Sequence, residues 1–439
     1  MTNIALVVLD TLRKDRFDDY FGWLPGLRFE QAYSAANWTV PSHAAMFTGY
    51  YPSEVGVHAK HTTFDYPGPT LAETLSEAGY RTRGFSANMH ITGPLDFDRG
   101  FDELTTPGAI RHLDSESIFD WQEFGERNDS QGVQKYIDGL RECISSDVST
   151  IRSLIAGVRF QLSNDDPKSG TEYGGAIEAT EKINEMSFGD DEFLFLNLME
   201  AHEPYSVPDE YQTVPEPGLT NAVGDILYGD DDNTGVEQAY DDCAQYLSDQ
   251  YEIVFELLTN EFDYIITVSD HGEMLGERGM WGHEYGVSPE LVHVPLVISG
   301  PEIEDGQRHD PVSLVDITAT VQQLAGVPSS SDRSRPLLDS DQRRSCLSEY
   351  CGLSSWSEQA LNENGYSNQV AEYDKKLRGV AIDSGYFHET MGGLSGSGSS
   401  EAAQAELNEL VDSLSERSVS TDNGVPDELK DHLKDLGYA

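Results

Sequence analysis

Runs of apolar residues along the chain are the first guide to its fold. Residues 4–9 and 264–268 are mainly apolar and rich in β-branched side chains, and residues 192–199 form a further apolar run. Strands buried on both faces of a parallel sheet have this pattern, whereas strands with one solvent-exposed face alternate apolar and polar residues. We therefore expect core strands of a largely parallel sheet at these three places.

Helical patterns lie between these runs. Residues 70–79 repeat apolar side chains at helical spacing and end at a glycine, and residues 236–258 carry an apolar stripe along one face. Glycine commonly ends a helix because it adopts the left-handed conformation without strain. Residues 80–87 are predicted to form another strand. The alternation of strands and helices predicts the α/β class.

A segment at residues 38–49 combines residue types that suit a chemical reaction. A threonine, a proline and a histidine come within five residues, and an apolar stretch then runs to a glycine. We expect Thr39 near the N-cap of a helix and Pro41 at or near its first helical position. One interpretation makes Thr39 a helix cap, which is a common role for a hydroxyl. The other makes it a nucleophile at the positive end of the helix dipole.

Acidic and histidine residues stand directly after two of the predicted strands. Asp10 follows the first apolar run, and the pair Asp270 and His271 follows the run at 264–268. Open α/β sheets place their ligands just outside the carboxyl ends of strands, so residues distant in the sequence can meet there. Two carboxylates and an imidazole are a suitable ligand set for a divalent cation, and a hydroxyl in the same shell would ionise more easily.

These residues resemble the motifs of the sulfatase family of the alkaline phosphatase superfamily. The pattern T-x-P-S-H occurs at residues 39–43, and T-G-x-x-P follows at residues 48–52. Further similar segments occur in the family's order at residues 8–13, 70–75, 78–82, 100–102, 195–205, 269–273, 294–296 and 314–320. The resemblance implies an α/β fold of the alkaline phosphatase type, with a mixed, mostly parallel central sheet flanked by helices and a small C-terminal α+β subdomain.

The resemblance also implies a metal-dependent reaction at Thr39. One divalent metal ion would be bound by Asp10, Asp270 and His271, with the Thr39 oxygen as a further ligand, and Ca²⁺, Mn²⁺, Mg²⁺ and Zn²⁺ are not distinguished. Thr39 would attack sulfur or phosphorus in line and form a covalent ester. The substrate would be a small anionic ester, such as a sulfated or phosphorylated sugar, lipid or aryl compound.

Three histidines match positions at which the family moves protons or contacts the substrate. His283 or His202 would protonate the leaving oxygen of the substrate. His202 would also contact the anionic oxygens. His43 would help to position Thr39 or the anion.

Two further polar residues are candidates for substrate binding. Asn88, with His90 as the alternative, stands where the family keeps substrate-contacting residues, although the usual Lys-x-His is absent here. Arg13 would either orient Asp10 or bind the anionic group of the substrate. A solvated basic patch around Arg13 is the alternative.

Two departures from the sulfatase pattern leave the substrate open. Well-known sulfatases carry a cysteine or serine that is oxidised to formylglycine, and Thr39 cannot follow that route, so no formylglycine is expected. They also carry Asp-Asp and Asp-Asn where this chain has Asp10-Thr11 and Asp270-His271. This set is more similar to phosphodiesterases, phosphonate monoester hydrolases and phosphoglycerol-type transferases. A sulfatase-family ester hydrolase is the leading hypothesis, and the non-enzyme alternative is an inactive ligand-binding relative.

Acidic residues dominate the charge of the chain. Its 439 residues include 78 Asp and Glu against 28 Lys and Arg, a formal net charge of −50. The acids are spread along the chain, so the charge belongs to the folded surface. We interpret it as adaptation to a high-salt cytoplasm, where charges are screened within about 3 Å at roughly molar salt; an ordinary acidic protein is the alternative. No basic stripe is present, and we therefore expect no nucleic-acid partner.

Cysteine usage and hydropathy bear on the location of the protein. Four cysteines are too few and too scattered for a disulfide framework, so buried thiols are expected. No charged-then-apolar leader precedes the first predicted strand, and no apolar run approaches the roughly 18 residues of a membrane span. These features predict a cytoplasmic protein without a membrane span. A homo-oligomer is left open.

The length of the chain allows one large α/β domain and a smaller appendage. We expect a sulfatase-like catalytic domain over residues 1–340, which includes a variable helical insertion at 108–190, and a small C-terminal subdomain over residues 341–439. The elements predicted for this subdomain are a hairpin at 377–389, a flexible Gly/Ser linker at 392–400 and amphipathic helices at 402–414 and 427–436.

Overall fold

An eight-stranded sheet forms the centre of the molecule. The computed structural model describes residues 2–107, 174–217, 235–339, 344–396, 398 and 400–419. Smaller sheets of two, three and four strands accompany the large sheet within these residues.

The strands are numbered along the chain. They are β1 (Ile4–Leu9), β2 (Leu27–Phe29), β3 (Ala32–Tyr33), β4 (Arg81–Ser86), β5 (Glu103–Thr105), β6 (Glu192–Leu198), β7 (Tyr264–Val268), β8 (Met274–Leu275), β9 (Trp281–Gly282), β10 (His293–Val294), β11 (Leu296–Ser299), β12 (Gly306–Arg308), β13 (Val312–Ser313), β14 (Cys346–Cys351), β15 (Lys376–Ile382), β16 (Gly385–Thr390) and β17 (Gly393–Gly396).

The helices are numbered in the same way. They are α1 (Lys14–Tyr20), α2 (Thr39–Thr48), α3 (Pro52–Val55), α4 (Leu71–Glu77), α5 (Ala176–Glu185), α6 (Val236–Thr259), α7 (Pro289–Val292), α8 (Asp316–Leu324), α9 (Ser355–Glu363), α10 (Ser367–Tyr373) and α11 (Ser400–Asp412), with 3₁₀ turns at Gly93–Leu95 and Glu277–Gly279.

The large sheet is mixed but mostly parallel. Its strand order is β12-β2-β11-β7-β1-β6-β4-β5. Strand β1 pairs in parallel with both β6 and β7, and β4 pairs in parallel with β5 and β6. Strand β11 runs antiparallel to its neighbours β2 and β7. The predicted sheet type is therefore confirmed, and the three apolar runs form its adjacent central strands.

Successive residues of β1 alternate between two hydrophobic cores. Ala5, Val7 and Leu9 pack in one core with α1, α5 and α6. The alternate residues pack in the other core with α2, α4 and α8. This explains why β1 is apolar at every position: helices cover both faces of the sheet.

Both ends of helix α4 lie where the sequence predicts them. At its start, Thr70 Oγ1 accepts a hydrogen bond from the Glu73 N–H at 3.1 Å, and Glu73 Oε2 accepts one from the Thr70 N–H at 2.8 Å. Gly79, beyond its last turn, has φ +96°, a conformation that glycine adopts readily. The expected helix at 236–258 and the expected strand at 80–87 are likewise confirmed as α6 and β4.

The C-terminal part forms an antiparallel sheet of β14, β15, β16 and β17. The predicted hairpin is confirmed as β15 and β16, and the helix expected at 402–414 is confirmed as α11. The flexible linker expected at 392–400 is wrong over β17, which pairs with β16. The glycines there serve close packing, since a Cβ at Gly396 would lie 2.5 Å from Phe387 Cδ1.

Some expectations fall outside the described residues. The helix expected at 427–436 and most of the insertion at 108–190 lie there, and α5 falls in the described part of that insertion. The expected domain boundary near residue 340 also lies there and stays a prediction. Within the described ranges, no helix is long and apolar enough to cross a bilayer. Cys243 and Cys346 are buried free thiols, as expected, and Cys351 is half-buried.

The small sheet supports the segment that leads into α2. Ser348 Oγ donates to the Ser34 carbonyl at 2.6 Å, and the Glu349 N–H donates to the Ala35 carbonyl at 2.8 Å. Ala45, in α2, belongs to the same hydrophobic cluster as the strands of the small sheet. The segment that leads into α2 is therefore fixed by the small sheet.

Candidate active site

The carboxyl ends of β1 and β7 bring two carboxylates and an imidazole together. These strands are parallel neighbours, so Asp10 and the pair Asp270 and His271 leave the sheet at the same edge. Ligand atoms of the three residues lie within 4.8 Å of one another. His271 Nε2 lies 3.8 Å from Asp10 Oδ1 and 3.6 Å from Asp270 Oδ2. All three side chains are fully buried.

Thr39 is the first residue of α2 and faces this group. Its Oγ1 lies 3.2 Å from His271 Nε2 and 3.5 Å from Asn88 Nδ2. Trp38 is the N-cap residue and Pro41 is the third helical residue, so the proline lies further into the first turn than expected. Among the hydrogen bonds of the described residues, the Thr39 hydroxyl makes none to a backbone N–H of the helix. The cap interpretation is therefore not supported.

Two buried amides hold one oxygen of Asp10. Asn88, after β4, and Asn197, within β6, donate to Asp10 Oδ2 at 3.0 and 3.1 Å. The strand order β1-β6-β4 places both amides on the side of Asp10 that is opposite to β7. These bonds turn Asp10 Oδ1 toward His271. Asn88 thus lies in the site, as the sequence predicted, next to both Asp10 and Thr39.

Thr11 connects the two carboxylates. Its hydroxyl donates to Asp10 Oδ1 at 2.9 Å, and its N–H donates to Asp270 Oδ1 at 3.2 Å. Its carbonyl accepts from the Tyr240 hydroxyl at 2.8 Å. Thr11 has φ +65°, a strained conformation for a β-branched residue that persists where the surroundings fix it.

The electrostatics of the group favour a bound cation. Burial and the neighbouring Asp10 raise the pKa of Asp270 well above its ordinary value. Burial also opposes ionisation of Asp10, but His202, His271 and His43 outweigh it and lower the pKa of Asp10 to about 2.

Among the described residues, the buried Asp270 Oδ2 has no hydrogen-bond partner. A buried carboxylate oxygen without a partner, beside a second carboxylate, is costly unless a cation neutralises it. The residues present therefore fit the divalent metal ion that the resemblance implies. Burial and the nearby His283 lower the pKa of His271 well below its ordinary value, so its imidazole is neutral and able to bind a metal.

His43 lies one helical turn after Thr39. Its Nδ1 donates to the Thr39 carbonyl at 2.9 Å and lies 3.5 Å from Asp270 Oδ2. The rings of Phe47 and Phe195 pack nearly at right angles to its ring. Burial lowers the pKa of His43 to about 4. A neutral His43 thus fixes the first turn of α2 beside the carboxylates, which supports the predicted positioning role.

His283 and His202 lie next to the ligand group. The His283 ring is 4.6 Å from the His271 ring and 5.4 Å from the His202 ring. Burial opposes the charged form of His283, but Glu273, whose Oε1 lies 2.9 Å from its Nδ1, raises the pKa of His283 to about 10. A protonated imidazole at this place can donate a proton. His202 Nδ1 bonds to the Glu203 carbonyl at 2.7 Å.

Arg13 is engaged away from the ligand group. Its guanidinium contacts Asp15 at 2.8 Å and Glu277 at 2.7 Å, and donates to the Glu273 carbonyl at 3.0 Å. These contacts do not support the expectation that Arg13 orients Asp10. Its role as a substrate contact stays a prediction.

Sequence reasoning missed three residues that shape the site. Asn197 lies within an apolar strand, and a polar residue in such a run is a signal for a buried polar contact. Glu273, three residues after Asp270, orients His283. Thr11 was noted as a departure from a family pattern and not as a link between the carboxylates, because its left-handed backbone is not visible in the sequence.

The comparisons with known proteins concern the family and the fold of the chain. The Sulfatase family model matches residues 21–327. A choline-sulfatase of Rhizobium meliloti (strain 1021) is 28% identical over 381 residues, which cover 77% of this chain and 70% of that protein. The uncharacterized sulfatase YidJ of Escherichia coli (strain K12) is 23% identical over 337 residues, which cover 69% of this chain and 61% of that protein.

Solved structures are similar over nearly the whole length. The phosphonate monoester hydrolase of Silicibacter pomeroyi superimposes with a TM-score of 0.59 at 19% sequence identity, and the match covers 94% of each chain. At this identity the similarity shows the fold alone. It confirms the expected architecture of a large, mostly parallel sheet flanked by helices.

Proposed function

The chain belongs to the sulfatase family, a family of ester hydrolases, and from this premise we propose that it cleaves sulfuric or phosphoric esters through a covalent ester of Thr39. The observation that carries the proposal is the position of Thr39 Oγ1, 3.2 Å from His271 Nε2, the atom that also faces Asp10 and Asp270. Three segments far apart in the sequence supply these atoms.

Thr39 is the nucleophile in this proposal. Its hydroxyl gives up its proton to solvent, the resulting alkoxide oxygen forms a bond to the sulfur or phosphorus of the ester, and the bond from that atom to the leaving oxygen breaks. Asp10, Asp270, His271 and the Thr39 oxygen would hold a divalent cation, which supplies a positive charge that stabilises the threonine alkoxide and the developing negative charge. The α2 N-terminus points its N–H groups at the same place and favours an anion there.

His283 is the proposed general acid. Its charged form, stabilised by Glu273, gives a proton to the leaving oxygen, a contribution of roughly 10²- to 10⁴-fold in rate. Water then attacks the sulfur or phosphorus, the bond from that atom to Thr39 Oγ1 breaks and restores the alkoxide, and His283 accepts a proton from that water. His202, whose ring lies 5.4 Å from that of His283, is the proposed contact for the anionic oxygens. Asn88 is close enough to Thr39 to share this role.

The choice between sulfate and phosphate remains the main alternative within the proposal. Thr39 cannot become formylglycine, which favours a reaction of the phosphodiesterase, phosphonate monoester hydrolase or phosphoglycerol-type transferase kind. The family favours sulfate. The non-enzyme alternative, an inactive ligand-binding relative, is disfavoured by the joint presence of a hydroxyl, two carboxylates and an imidazole in contact distance.

A substrate panel tests the proposal. We expect the metal-loaded protein in molar KCl to release the phenol from an aryl sulfate, a bis-aryl phosphate or an aryl phosphonate. Thr39→Ala should lower kcat by at least about 10³-fold, while Thr39→Ser should retain part of the activity because it keeps a hydroxyl. After acid quenching, mass spectrometry should find a sulfuryl or phosphoryl group on the peptide that contains residue 39.

The controls separate the alternatives. Thr48→Ala changes a buried threonine at the other end of the same helix, which bonds to the Ala44 carbonyl, and it should leave kcat within about threefold because this residue lies away from the site. Turnover that is unaffected by Thr39→Ala would remove Thr39 from the mechanism. Binding of the esters without any turnover would favour the inactive relative.

We also propose a location, a class of ligand and a domain division for the chain. The excess of 50 negative charges supports a high-salt cytoplasm as the location. The ligand is a small anionic ester of a sugar, lipid or aryl alcohol. A catalytic domain ending near residue 340 and a small C-terminal subdomain remain our proposed division of the chain.

A further inference from the structure

His271 directs a lone pair toward the carboxylates. Its Nδ1 lies 2.9 Å from the Gly272 carbonyl oxygen, and because a carbonyl only accepts, Nδ1 carries the hydrogen. The free lone pair of the neutral ring is then on Nε2, the atom that faces Asp10, Asp270 and Thr39. A histidine whose other nitrogen donates to a carbonyl is the usual arrangement of a metal ligand.

Each carboxylate has one oxygen that is held by two N–H donors. Two asparagine amides occupy Asp10 Oδ2, and the backbone N–H groups of Thr11 and His271 occupy Asp270 Oδ1 at 3.2 and 3.0 Å. The remaining oxygens are Asp10 Oδ1, which also accepts from the Thr11 hydroxyl at 2.9 Å, and Asp270 Oδ2. The second of these is fully buried and has no hydrogen-bond partner within the described ranges.

The resulting ligand set is small and contains nitrogen. It consists of two carboxylate oxygens, one imidazole nitrogen and the Thr39 hydroxyl. Ca²⁺ takes about six to eight oxygen ligands, and Mg²⁺ requires an octahedron of oxygens. Zn²⁺ takes about four ligands, nitrogen and oxygen together, at about 2.0–2.2 Å.

The spacing of the atoms agrees with a small coordination sphere. A tetrahedron with Zn²⁺ bond lengths has edges of about 3.3–3.6 Å. The three contacts of His271 Nε2 measure 3.2, 3.6 and 3.8 Å. These three edges therefore lie close to those of such a tetrahedron.

We propose that this centre selects a transition-metal ion that accepts imidazole, with Zn²⁺ the best match, over Ca²⁺ and Mg²⁺, and that His271 sets this preference. The inference rests on the proposed function for the place where the ion acts. It concerns binding, however, and is tested by binding.

Calorimetric titration of the metal-free protein tests the preference. The full chain, stripped with a chelator in molar KCl, is titrated with Zn²⁺, Mn²⁺, Ca²⁺ and Mg²⁺. We expect Zn²⁺ to bind at least about 100-fold more tightly than Ca²⁺. His271→Asn should weaken Zn²⁺ binding by about 100-fold or more, beyond the 10- to 100-fold cost of changing a residue behind a ligand. The same substitution should change Ca²⁺ binding by less than about 10-fold, because Ca²⁺ accepts an amide oxygen.

The matched control is a histidine outside the site. His309 is exposed, and His309→Asn should leave both affinities unchanged. The visible absorption of bound Co²⁺ gives an independent readout, since it reports the ligands directly; it should change in His271→Asn and not in His309→Asn. Ca²⁺ binding as tight as Zn²⁺ binding, or an unchanged Zn²⁺ affinity in His271→Asn, would overturn the proposal.

A substitution that adds an oxygen ligand should shift the metal preference from Zn²⁺ toward Ca²⁺. Thr11 has φ +65°, a conformation that aspartate tolerates better than threonine. Thr11→Asp adds a carboxylate beside Asp10 and should raise Ca²⁺ affinity relative to Zn²⁺ by about 10-fold. Thr11→Ser keeps the hydroxyl bond to Asp10 and should leave the ratio unchanged. A ratio that does not move in Thr11→Asp counts against the proposed ligand set.

Failure of this inference is distinguishable from failure of the proposed function. Zn²⁺ binding with no cleavage of any ester would refute the function and leave the metal preference intact. Cleavage of an ester by a protein that binds Ca²⁺ more tightly than Zn²⁺ would refute the metal preference and leave the proposed function intact.

Discussion

Asn197 is a buried polar side chain that is explained by the active site and not by the strand in which it lies. It lies within β6, fully buried between Val8 and Ser86 of the neighbouring strands. Its Nδ2 holds Asp10 Oδ2 at 3.1 Å, but its Oδ1 has no hydrogen-bond partner among the described residues. An unsatisfied buried polar atom costs about 1–3 kcal/mol, so an apolar residue would suit the strand better. We therefore attribute the asparagine to the position of Asp10.

Glu200 is a second buried polar residue, and it makes stability depend on pH. Its Oε1 accepts the N–H of Ala176 at the start of α5, and its Oε2 lacks a partner in the described part of the chain. Burial raises the pKa of Glu200 from 4.5 to about 7. The folded state therefore keeps this proton to higher pH than the unfolded state, and the free energy of unfolding falls as pH rises from about 4.5 to about 7.

Glu200→Gln should remove this pH-dependent loss. Glutamine keeps an oxygen for the Ala176 N–H but cannot ionise. At pH 8 the variant should unfold with a free energy about 2–3 kcal/mol higher than the parent, and at pH 5 the two should agree within about 1 kcal/mol. Chemical denaturation at both pH values measures the difference. Glu181→Gln, at an exposed position of α5, is the control and should show no pH-dependent gain; an equal gain in both variants would contradict the explanation.

At the scale of elements, long periodic segments were predictable and short ones were not. The sequence predicts β1, β6, β7 and α6 because burial on both faces, or along one stripe, leaves a pattern over several residues. Strands of two or three residues, such as β3 (Ala32–Tyr33), have no such pattern. They form because neighbours such as His293 supply hydrogen bonds, which the local sequence does not encode.

The same distinction applies within the candidate site. Asp10, Asp270 and His271 were predictable because they follow strands directly, and the sheet gives their common edge. The left-handed turn at Thr11 and the bond from Asn197 depend on the tertiary surroundings. Helices α9 and α10 of the C-terminal part were also not predicted, since few of their residues are buried.

The pairing of β4 with β6 contains a buried ion pair that tests element-level stability. Arg83 Nη2 lies 2.8 Å from Glu192 Oε2, and each side chain is 4% exposed. The guanidinium also lies 4.5 Å above the Phe188 ring. Arg83→Met should lower the free energy of unfolding by about 3–5 kcal/mol, because it leaves the Glu192 carboxylate buried without its partner.

The double variant separates the unpaired charge from lost packing. Arg83→Met combined with Glu192→Leu should recover most of the loss, since no charge remains buried. Lys376→Met is the control: it breaks an exposed pair with Glu416, at 47% and 43% exposure, and should cost less than about 1 kcal/mol. Denaturant titration measures all three variants. A double variant as unstable as Arg83→Met would show that the loss comes from packing of the arginine.

At the scale of the whole molecule, acids outnumber the cations available to pair with them. Arg16 illustrates this: it contacts Asp15 at 3.0 Å, Glu237 at 2.6 Å and also Asp241. One guanidinium thus forms ion pairs with three carboxylates. The chain as a whole has a net charge of −50. Repulsion between the remaining charges opposes the compact state, and it acts over about 10 Å at 0.1 M salt but only about 3 Å at 1 M.

The stability of the protein should therefore rise steeply with salt. We expect the midpoint of thermal unfolding to increase by at least about 5 °C between 0.1 M and molar KCl, as screening reduces repulsion in the folded state by several kcal/mol. Sucrose at equal osmolality is the control, because it strengthens burial without screening charge; its effect should be smaller. Circular dichroism during heating provides the measurement. A midpoint that is the same in dilute buffer and in molar KCl would favour an ordinary acidic protein, whose local ion pairs suffice without a saline environment.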